Sequence, residues 1–249
     1  MRRFFVEEIK TRDGLCVITG SEARHISRVL RMGKGDRFIL MDGTGDRFEV
    51  VIDSAGRQEI LAIVKRSLPI PTPSPVEINL CQSLLKSRPM DYLIAKTSEL
   101  GVNTVFPFSS ERTVVRLDDS RIATRRKHWQ EIAQSAAKQS DRITPAAIFS
   151  PSGYQDLIER WKQKDIVKAV MWEEEEAEDL KDLLRSSPPA KRFVGMVGPE
   201  GGFSLKEIQI AKEAGFKSVS LGNRILRAES AAITMVAIIQ YEWGDLSLP

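Results

Sequence analysis

The stretch Leu68-Pro69-Ile70-Pro71-Thr72-Pro73-Ser74-Pro75 places proline at every second position. Proline fixes φ and has no amide donor, so this stretch can be neither a helix nor a central strand. It reads as a stiff extended connector and divides the 249 residues into a small front domain and a larger second one. The expected boundaries are 1–70 for the first domain, 71–75 for the linker and 76–249 for the second. The division also gives meaning to the charge. The formal net charge is only +3. Met1–Pro75 holds 13 basic and 10 acidic side chains, Val76–Ser150 holds 11 and 8, and Pro151–Pro249 holds 13 and 16. The first 150 residues are therefore basic and the remainder acidic, which suits a polyanionic partner for the front of the chain.

Before the connector, Arg37-Phe38-Ile39-Leu40-Met41 and Phe48-Glu49-Val50-Val51-Ile52 are short alternating runs interrupted by Asp42-Gly43 and Gly45-Asp46. They predict a small β domain. One helix is expected within it, over Ser21–Met32, with Ser21 as its N-cap. After the connector, strands and helices alternate. Strands are expected over Val76–Cys81, Val102–Phe108, Ala146–Phe149, Ile166–Trp172, Phe193–Val197 and Ser218–Leu221. Helices are expected from Pro89 (at N1) to Gly101 (at C′), and over Arg121–Ser140, Tyr154–Trp161, Ser204–Ala214 and Ala231–Trp243, with one more ending before Pro188-Pro189. Repeated β-α units of this kind predict an α/β fold with a parallel sheet flanked by helices.

Several chemistries find no support in the residue types. Cys16 and Cys81 are far apart, and His25 and His128 have no partner at metal-ligand spacing, so no metal site is expected. MRRFFVEEIK has no signal-peptide core, and no apolar run reaches the ~18 residues that suggest a membrane span. The expected setting is cytoplasmic, with no membrane partner.

The most informative segment is Met196-Val197-Gly198-Pro199-Glu200-Gly201-Gly202-Phe203-Ser204-Leu205-Lys206-Glu207, a strand entering a helix through a glycine-rich turn. Ser204 and Glu207 have capping-box spacing. The turn matches neither the phosphate-binding G-x-x-x-x-G-K-[ST] nor the dinucleotide-binding G-x-G-x-x-G pattern. Glycine content alone leaves a tight structural turn as open as a ligand loop. One unit later, Leu221-Gly222-Asn223-Arg224-Ile225-Leu226-Arg227-Ala228-Glu229-Ser230 follows the next strand, so both loops should emerge at the ligand-binding edge of the sheet. Arg224, Arg227 and Glu229 just before an apolar helix are either paired with one another or used in chemistry.

These residues resemble a known family. Gly198–Ser204 (GPEGGFS) and Leu221–Ala231 (LGNRILRAESA) are similar to the signature of the 16S ribosomal RNA uridine N3-methyltransferases of the SPOUT superfamily. Arg2–Val6 and His25–Asp36 resemble the family's PUA-like RNA-binding domain. Lys86–Val102, Ser110–Arg116 and Glu131–Arg142 resemble its central blocks. Asn223 stands where the family usually has proline, Asp141 where glycine is common, and Ala228 and Ser230 replace the more usual threonines.

The resemblance implies a C-terminal SPOUT-type parallel sheet with helices on both faces and a trefoil knot, behind a small PUA-like β-barrel domain. It further implies S-adenosylmethionine as cofactor, a homodimer, and 16S rRNA as substrate, in an assembled small-subunit particle. The cofactor would lie against Met171, Trp172, Gly198, Pro199, Glu200, Gly201, Leu221, Gly222, Asn223, Ile225 and Leu226. Methylation at N3 needs negative charge stabilised on the uracil oxygens, for which Arg227 and Arg224 are candidates. It also needs a proton acceptor, for which Glu229 and Glu200 are available. RNA contacts are expected from Arg2, Arg3, Arg24, Arg28, Arg31, Lys86, Arg88, Lys138 and Arg142. Arg24, Arg28 and Arg31 fall at i, i+4, i+7 of the expected first helix, a spacing equally suited to a solvated face. Arg125-Arg126-Lys127 and the Glu173–Glu176 run are expected to face solvent. Two other classes fit the same residues: a non-catalytic ribosome-assembly protein, and a SPOUT enzyme acting on a ribose hydroxyl or on transfer RNA.

Overall fold

The computed structural model describes residues 1–6, 9, 11–12, 14–42, 45–162 and 166–246. Gly43, part of one expected turn, lies outside them. The chain divides into two compact units, Met1–Thr72 with Ala137–Pro145, and Pro73–Ala136 with Ala146–Pro249. The short segment Ala137–Pro145, read from sequence as part of the second domain, thus groups with the first unit.

The first unit contains β1 (Arg3–Phe5), β2 (Thr11–Arg12), β3 (Leu15–Thr19), α1 (Gly20–Arg24), β4 (Arg37–Met41), β5 (Arg47–Ala55) and β6 (Glu59–Ser67). The strands form one sheet in the order β1-β4-β5-β6-β3-β2, with β1 parallel to β4 and the remaining pairs antiparallel. Period-two alternation sends Phe38 and Leu40 of β4, Val50 and Ile52 of β5, and Ile60 and Ala62 of β6 into a common core. Phe4 packs edge-on against Phe38, with ring centroids 5.0 Å apart.

The expected helix over Ser21–Met32 is not a regular α-helix. α1 begins at Gly20 with Thr19 in the cap position, so Ser21 lies inside the first turn and caps nothing. The chain then widens into a π-helical turn over His25–Val29, where the Leu30 amide bonds to the His25 carbonyl at 3.0 Å. Burial of Ala23, Ile26 and Met32 in the core overrides the 3.6-residue register that the sequence pattern suggested. Arg31 then takes a left-handed φ of 51°.

The second unit runs through β7 (Glu77–Ser83), α2 (Ser87–Glu99), β8 (Thr104–Ser109), α3 (Asp119–Ser140, whose last turn belongs to the first unit), β9 (Ala147–Ile148), β10 (Ser152–Gly153), α4 (Tyr154–Arg160), β11 (Val167–Met171), α5 (Leu180–Ser186), β12 (Arg192–Val197), α6 (Leu205–Glu213), β13 (Lys217–Val219) and α7 (Ala228–Trp243). Its strands pair in parallel in the order β10-β8-β7-β12-β11-β13, with β9 beside β8. Successive strand residues point to opposite faces. Phe193 and Val197 join the core under α2, α3, α5 and α7, whereas Val194 and Met196 join the core under α4 and α6.

Two of the boundary shifts concern the starts of α2 and α7. α2 begins at Ser87, which puts Pro89 at the third helical position rather than the first. Proline is still tolerated there, because amides in the first turn have no helical acceptor. α7 begins at Ala228 rather than Ala231, so Glu229 is inside its first turn and Arg227 is the N-cap residue. α7 also crosses the sheet closely: a Cβ on Gly195 would stand 2.1 Å from Met235 Sδ.

Lys168 of β11 is almost fully buried and donates from Nζ to the carbonyls of Trp161 (2.8 Å) and Ala214 (2.7 Å), the cap residues at the ends of α4 and α6. One cation thus satisfies orphan carbonyls of two helices.

Candidate active site

β11, β12 and β13 end side by side, at Met171, Val197 and Val219. The loops leaving their carboxyl ends enclose a cavity of about 980 Å³ in the second unit. Met171 and Trp172 line it from the first strand end, Gly198, Pro199 and Glu200 from the second, and the continuous run Leu221–Glu229 from the third. Every residue expected to hold the cofactor is therefore at this cavity except Gly201. Gly201 faces outward, where its carbonyl accepts from Arg112 Nη1 at 3.1 Å.

The glycine-rich turn is built by local chemistry. Ser204 Oγ accepts from the Glu207 amide at 3.3 Å, and Glu207 Oε2 accepts from the Ser204 amide at 2.9 Å, which closes the predicted capping box of α6. The Gly202 amide bonds back to the Pro199 carbonyl (3.0 Å), and Gly202 has φ of 68°. A Cβ at Gly202 would stand 2.3 Å from Glu173 Oε1, so glycine serves both the left-handed backbone and the close approach of a carboxylate. The buried Glu207 also accepts from the Glu111 amide through Oε1 at 2.8 Å, tying the β8–α3 loop to this turn.

The catalytic candidates Arg224, Arg227 and Glu229 all line the cavity. Both arginines are exposed and Glu229 is half-buried. Among the described residues none of the three forms an ion pair, so the alternative of a structural Arg227–Glu229 pair is not what the chain adopts. Glu200 is exposed, and its Oε1 lies 3.5 Å from the Lys86 amide.

In the acidic run Glu173, Glu174 and Glu176 are exposed, as expected, and Glu175 is half-buried; Glu173, Glu175 and Glu176 also line the cavity, joined by Glu178, Asp179 and Asp182. Glu175 accepts from Ser218 Oγ and from the Ala177 amide (3.1 Å), and pairs with Lys212 Nζ at 3.5 Å. The Ser218 hydroxyl first, and then Ala177 and Lys212, hold its carboxyl below the usual range, against the opposing effect of burial. Lys212 Nζ in turn sits 5.6 Å from the centre of the Trp172 ring. The run therefore forms one wall of the site. The sequence alone could not show this, because the partners Lys212 and Ser218 lie about forty residues away.

The expected RNA-contacting residues fare unequally. Arg24, Arg28 and Arg31 are exposed, but they do not share a regular α-helical face: Arg24 is in α1, Arg28 in the π turn and Arg31 beyond it. Arg2, Lys86 and Arg88 are exposed. Arg3 lies 2.7 Å from Asp141, and Lys138 pairs with Glu22, so these two cations are already neutralised within the first unit. Arg142 is half-buried. Arg125 and Arg126 are also engaged, with Ser87 Oγ and the Ile148 carbonyl.

Comparison with known proteins places these features in a family. Residues 72–240 match the RNA methyltransferase domain model, and residues 18–65 match the RNA methyltransferase PUA domain model. Ribosomal RNA small subunit methyltransferase E of Aquifex aeolicus is 32% identical over 96% of this chain and 99% of its own length. The Bacillus subtilis protein of the same name is 29% identical over 97% of both. The crystal structure of ribosomal RNA small subunit methyltransferase E from Neisseria gonorrhoeae, bound to S-adenosyl methionine, superposes with a TM-score of 0.90 at 34% identity, covering 99% of this chain and 100% of that one. A putative methyltransferase from Legionella pneumophila in complex with the cofactor SAM gives a TM-score of 0.89 at 27% identity, covering 98% of each chain. With a mixed α/β fold, a parallel sheet and a PUA-like N-terminal domain, this chain belongs to the ribosomal RNA small subunit methyltransferase E family.

Proposed function

We propose that this protein methylates N3 of a specific uridine in 16S rRNA, with S-adenosylmethionine as the methyl donor. One observation carries the reading: both signature loops and Trp172 converge on a single cavity at the ends of three adjacent parallel strands. Its volume suits a cofactor-sized ligand. The lining fits the charge of that ligand as well. Among the described lining residues, Glu173, Glu175, Glu176, Glu178, Asp179, Asp182, Glu200 and Glu229 outnumber Arg224 and Arg227, a balance suited to a cationic sulfonium and unsuited to a phosphate-bearing cofactor. The glycine-rich turn and the run Leu221–Leu226 would hold the cofactor, with Trp172 against it. When bound, S-adenosylmethionine supplies an electrophilic methyl group.

The chain's own residues then have three tasks. The two loops orient the reacting groups at near-attack distance. Arg227, with Arg224 beside it, stabilises the negative charge that develops on the uracil oxygens as N3 loses its proton. Glu229 takes that proton: it is half-buried at the cavity, whereas Glu200 is exposed and directed to the Lys86 amide. N3 lies on the Watson–Crick edge, so the target uridine enters unpaired. The PUA-like domain over 1–70 carries RNA binding through Arg2, Arg24, Arg28 and Arg31, and Lys86 and Arg88 contact RNA from the methyltransferase domain.

The same reading includes the trefoil knot, the homodimer and a cytoplasmic setting. Supporting the knot, the Trp172 amide donates to the Val219 carbonyl, while Ser220 donates to the Glu178 carbonyl and accepts from the Leu180 amide, so both ends of the 172–180 segment meet the chain at the end of β13. Supporting the dimer, Ile233, Ala237 and Ile238 of α7 are only half-buried, and Tyr241 and Ile225 are exposed.

The test is to incubate the purified protein with S-adenosylmethionine and either small ribosomal subunits or bare 16S rRNA lacking the modification, followed by mass spectrometry of the nucleosides. N3-methyluridine is expected, with the assembled subunit the better substrate. A methyl group found only on ribose or on another base atom would overturn the N3 assignment. Absence of S-adenosylmethionine binding by calorimetry at high micromolar concentration would overturn the enzyme reading and favour a ribosome-assembly role.

A further inference from the structure

The glycine-rich turn needs more than its own capping box to keep its shape, and the residue beneath it is a candidate for that task. Gln82 sits near the carboxyl end of β7, paired in register with Val197, the last residue before the turn. Its side chain is fully buried. Nε2 donates to two carbonyl oxygens, that of Ser83 at 3.0 Å and that of Gly198 at 3.3 Å. Two acceptors on one side settle which end of the amide is which, since the reversed amide would set oxygen against oxygen. Oε1 consequently points away from both carbonyls, and among the described residues it has no hydrogen-bond partner.

An apolar residue would avoid leaving a buried acceptor unmatched. What the glutamine contributes in exchange is its hold on Gly198, the first cavity-lining residue of the turn. Space at Gly198 is tight as well: a Cβ there would stand 3.1 Å from the Phe203 ring. The strand end that bears Gln82 is itself fastened, because the Ser83 hydroxyl lies 2.9 Å from Thr113 Oγ1 and 3.2 Å from Ser110 Oγ. Further along the turn, Arg112 Nη1 holds the Gly201 carbonyl at 3.1 Å.

We infer that Gln82 is a positioning residue for cofactor binding, holding the Gly198 carbonyl from beneath so that the turn keeps its ligand-binding shape. The inference rests on the assignment of this cavity to S-adenosylmethionine. Gln82 touches neither cofactor nor RNA in this role and acts only through Gly198.

The experiment compares wild type with Gln82→Met, which keeps the volume and removes the donor, and with Gln82→Glu, which sets a carboxylate oxygen against the two carbonyls. Calorimetric Kd for S-adenosylmethionine, KM and kcat in the methylation assay, and Tm are measured for each. Loss of one positioning hydrogen bond predicts a Kd and KM for the cofactor about tenfold higher in Gln82→Met, and higher still in Gln82→Glu, with kcat at saturating cofactor within about twofold of wild type. Gln82→Leu, which also removes the donor, provides the same comparison if Gln82→Met does not fold. Unchanged Kd in the folded variants would overturn the inference. So would a fall in Tm and kcat with Kd unaltered, since that describes a purely structural glutamine. If wild type itself binds no S-adenosylmethionine, the functional reading fails and takes this inference with it; if wild type binds and the variants bind equally well, only the inference fails.

Discussion

The guanidinium of Arg47, 6% exposed, donates from Nη2 to Asp141 Oδ1 at 2.5 Å, and Asp141 adopts a left-handed φ of 62° at the position that receives it. Arg3 Nε lies 2.7 Å from the same oxygen. Arg47 also donates from Nη1 to the Pro69 carbonyl at 3.0 Å, so one buried cation joins β5, the segment after α3 and the start of the proline-rich stretch within the first unit. Glycine would adopt this backbone without strain. The aspartate accepts that strain and neutralises two arginines.

Replacing Asp141 separates the two effects. Asp141→Ala keeps the unfavourable φ and leaves Arg47 without its carboxylate. We expect a loss of about 2–3 kcal/mol, below the 3–5 kcal/mol typical of a broken buried pair because Asp141 is 37% exposed. Asp141→Gly relieves the backbone and should be more stable than the alanine variant by about 1 kcal/mol. Denaturant unfolding of the three proteins measures both differences; an alanine variant as stable as the glycine variant would show that the φ carries no cost.

Gly202→Ala should weaken cofactor binding more than it lowers stability. The φ of 68° costs about 1 kcal/mol for a non-glycine residue, and the new methyl group displaces the Glu173 carboxylate at the cavity wall. We expect a rise in Kd for S-adenosylmethionine of about tenfold or more with a Tm only a few degrees lower. Adding Glu173→Ala removes the clash but not the backbone strain, so affinity should recover only in part.

Glu175 provides a pH-dependent readout of the acidic wall. Its folded carboxyl titrates below the ordinary value of 4.5, chiefly because of the Ser218 hydroxyl. A group with a depressed folded pKa contributes stability that is complete above its unfolded pKa and is lost as pH falls through the folded one. The stability difference between wild type and Glu175→Gln should accordingly be full above pH 4.5 and shrink as pH drops below it. Thermal unfolding of both proteins from neutral to acidic pH gives the comparison, and a difference that stays constant across this range would refute it.

Glu229→Gln should lower the single-turnover methylation rate by about 10²–10⁴ and flatten its dependence on pH, while leaving cofactor affinity close to wild type. Glu200→Gln should be much milder. Single-turnover rates across pH for both variants test the assignment. A Glu229→Gln enzyme with the wild-type profile would exclude Glu229 as the base.

Much of the second unit was legible because local signals and periodicity agree with the final structure. Ser204 and Glu207 announce a capping box that forms, Gly101 and Gly215 end helices with positive φ, and apolar runs such as Phe193–Val197 become strands covered on both faces. Local rules failed where tertiary packing outweighed propensity. Ser21 looks like an N-cap, yet burial of Ala23, Ile26 and Met32 draws the chain into a shorter helix and a π turn. The spacing of Arg24, Arg28 and Arg31 lost its regular face for the same reason.

The alternation of the longer strands and helices of the second unit, and the expectation that two glycine-bearing loops would meet at one sheet edge, followed from the sequence by itself, because both rest on short-range backbone preferences and the period of side-chain burial. Which polar groups distant along the chain meet in space was decided by the tertiary structure alone. Glu175 belongs to a run that reads as solvated, and only the parallel pairing of β11 with β13 brings Ser218 to it. Gln82 reaches Gly198 only because β12 lies beside β7, 116 positions apart along the chain at that contact. A hydrogen bond between residues so distant leaves no periodic or local trace, since its cost in chain entropy is met by the whole fold rather than by the neighbours of either partner.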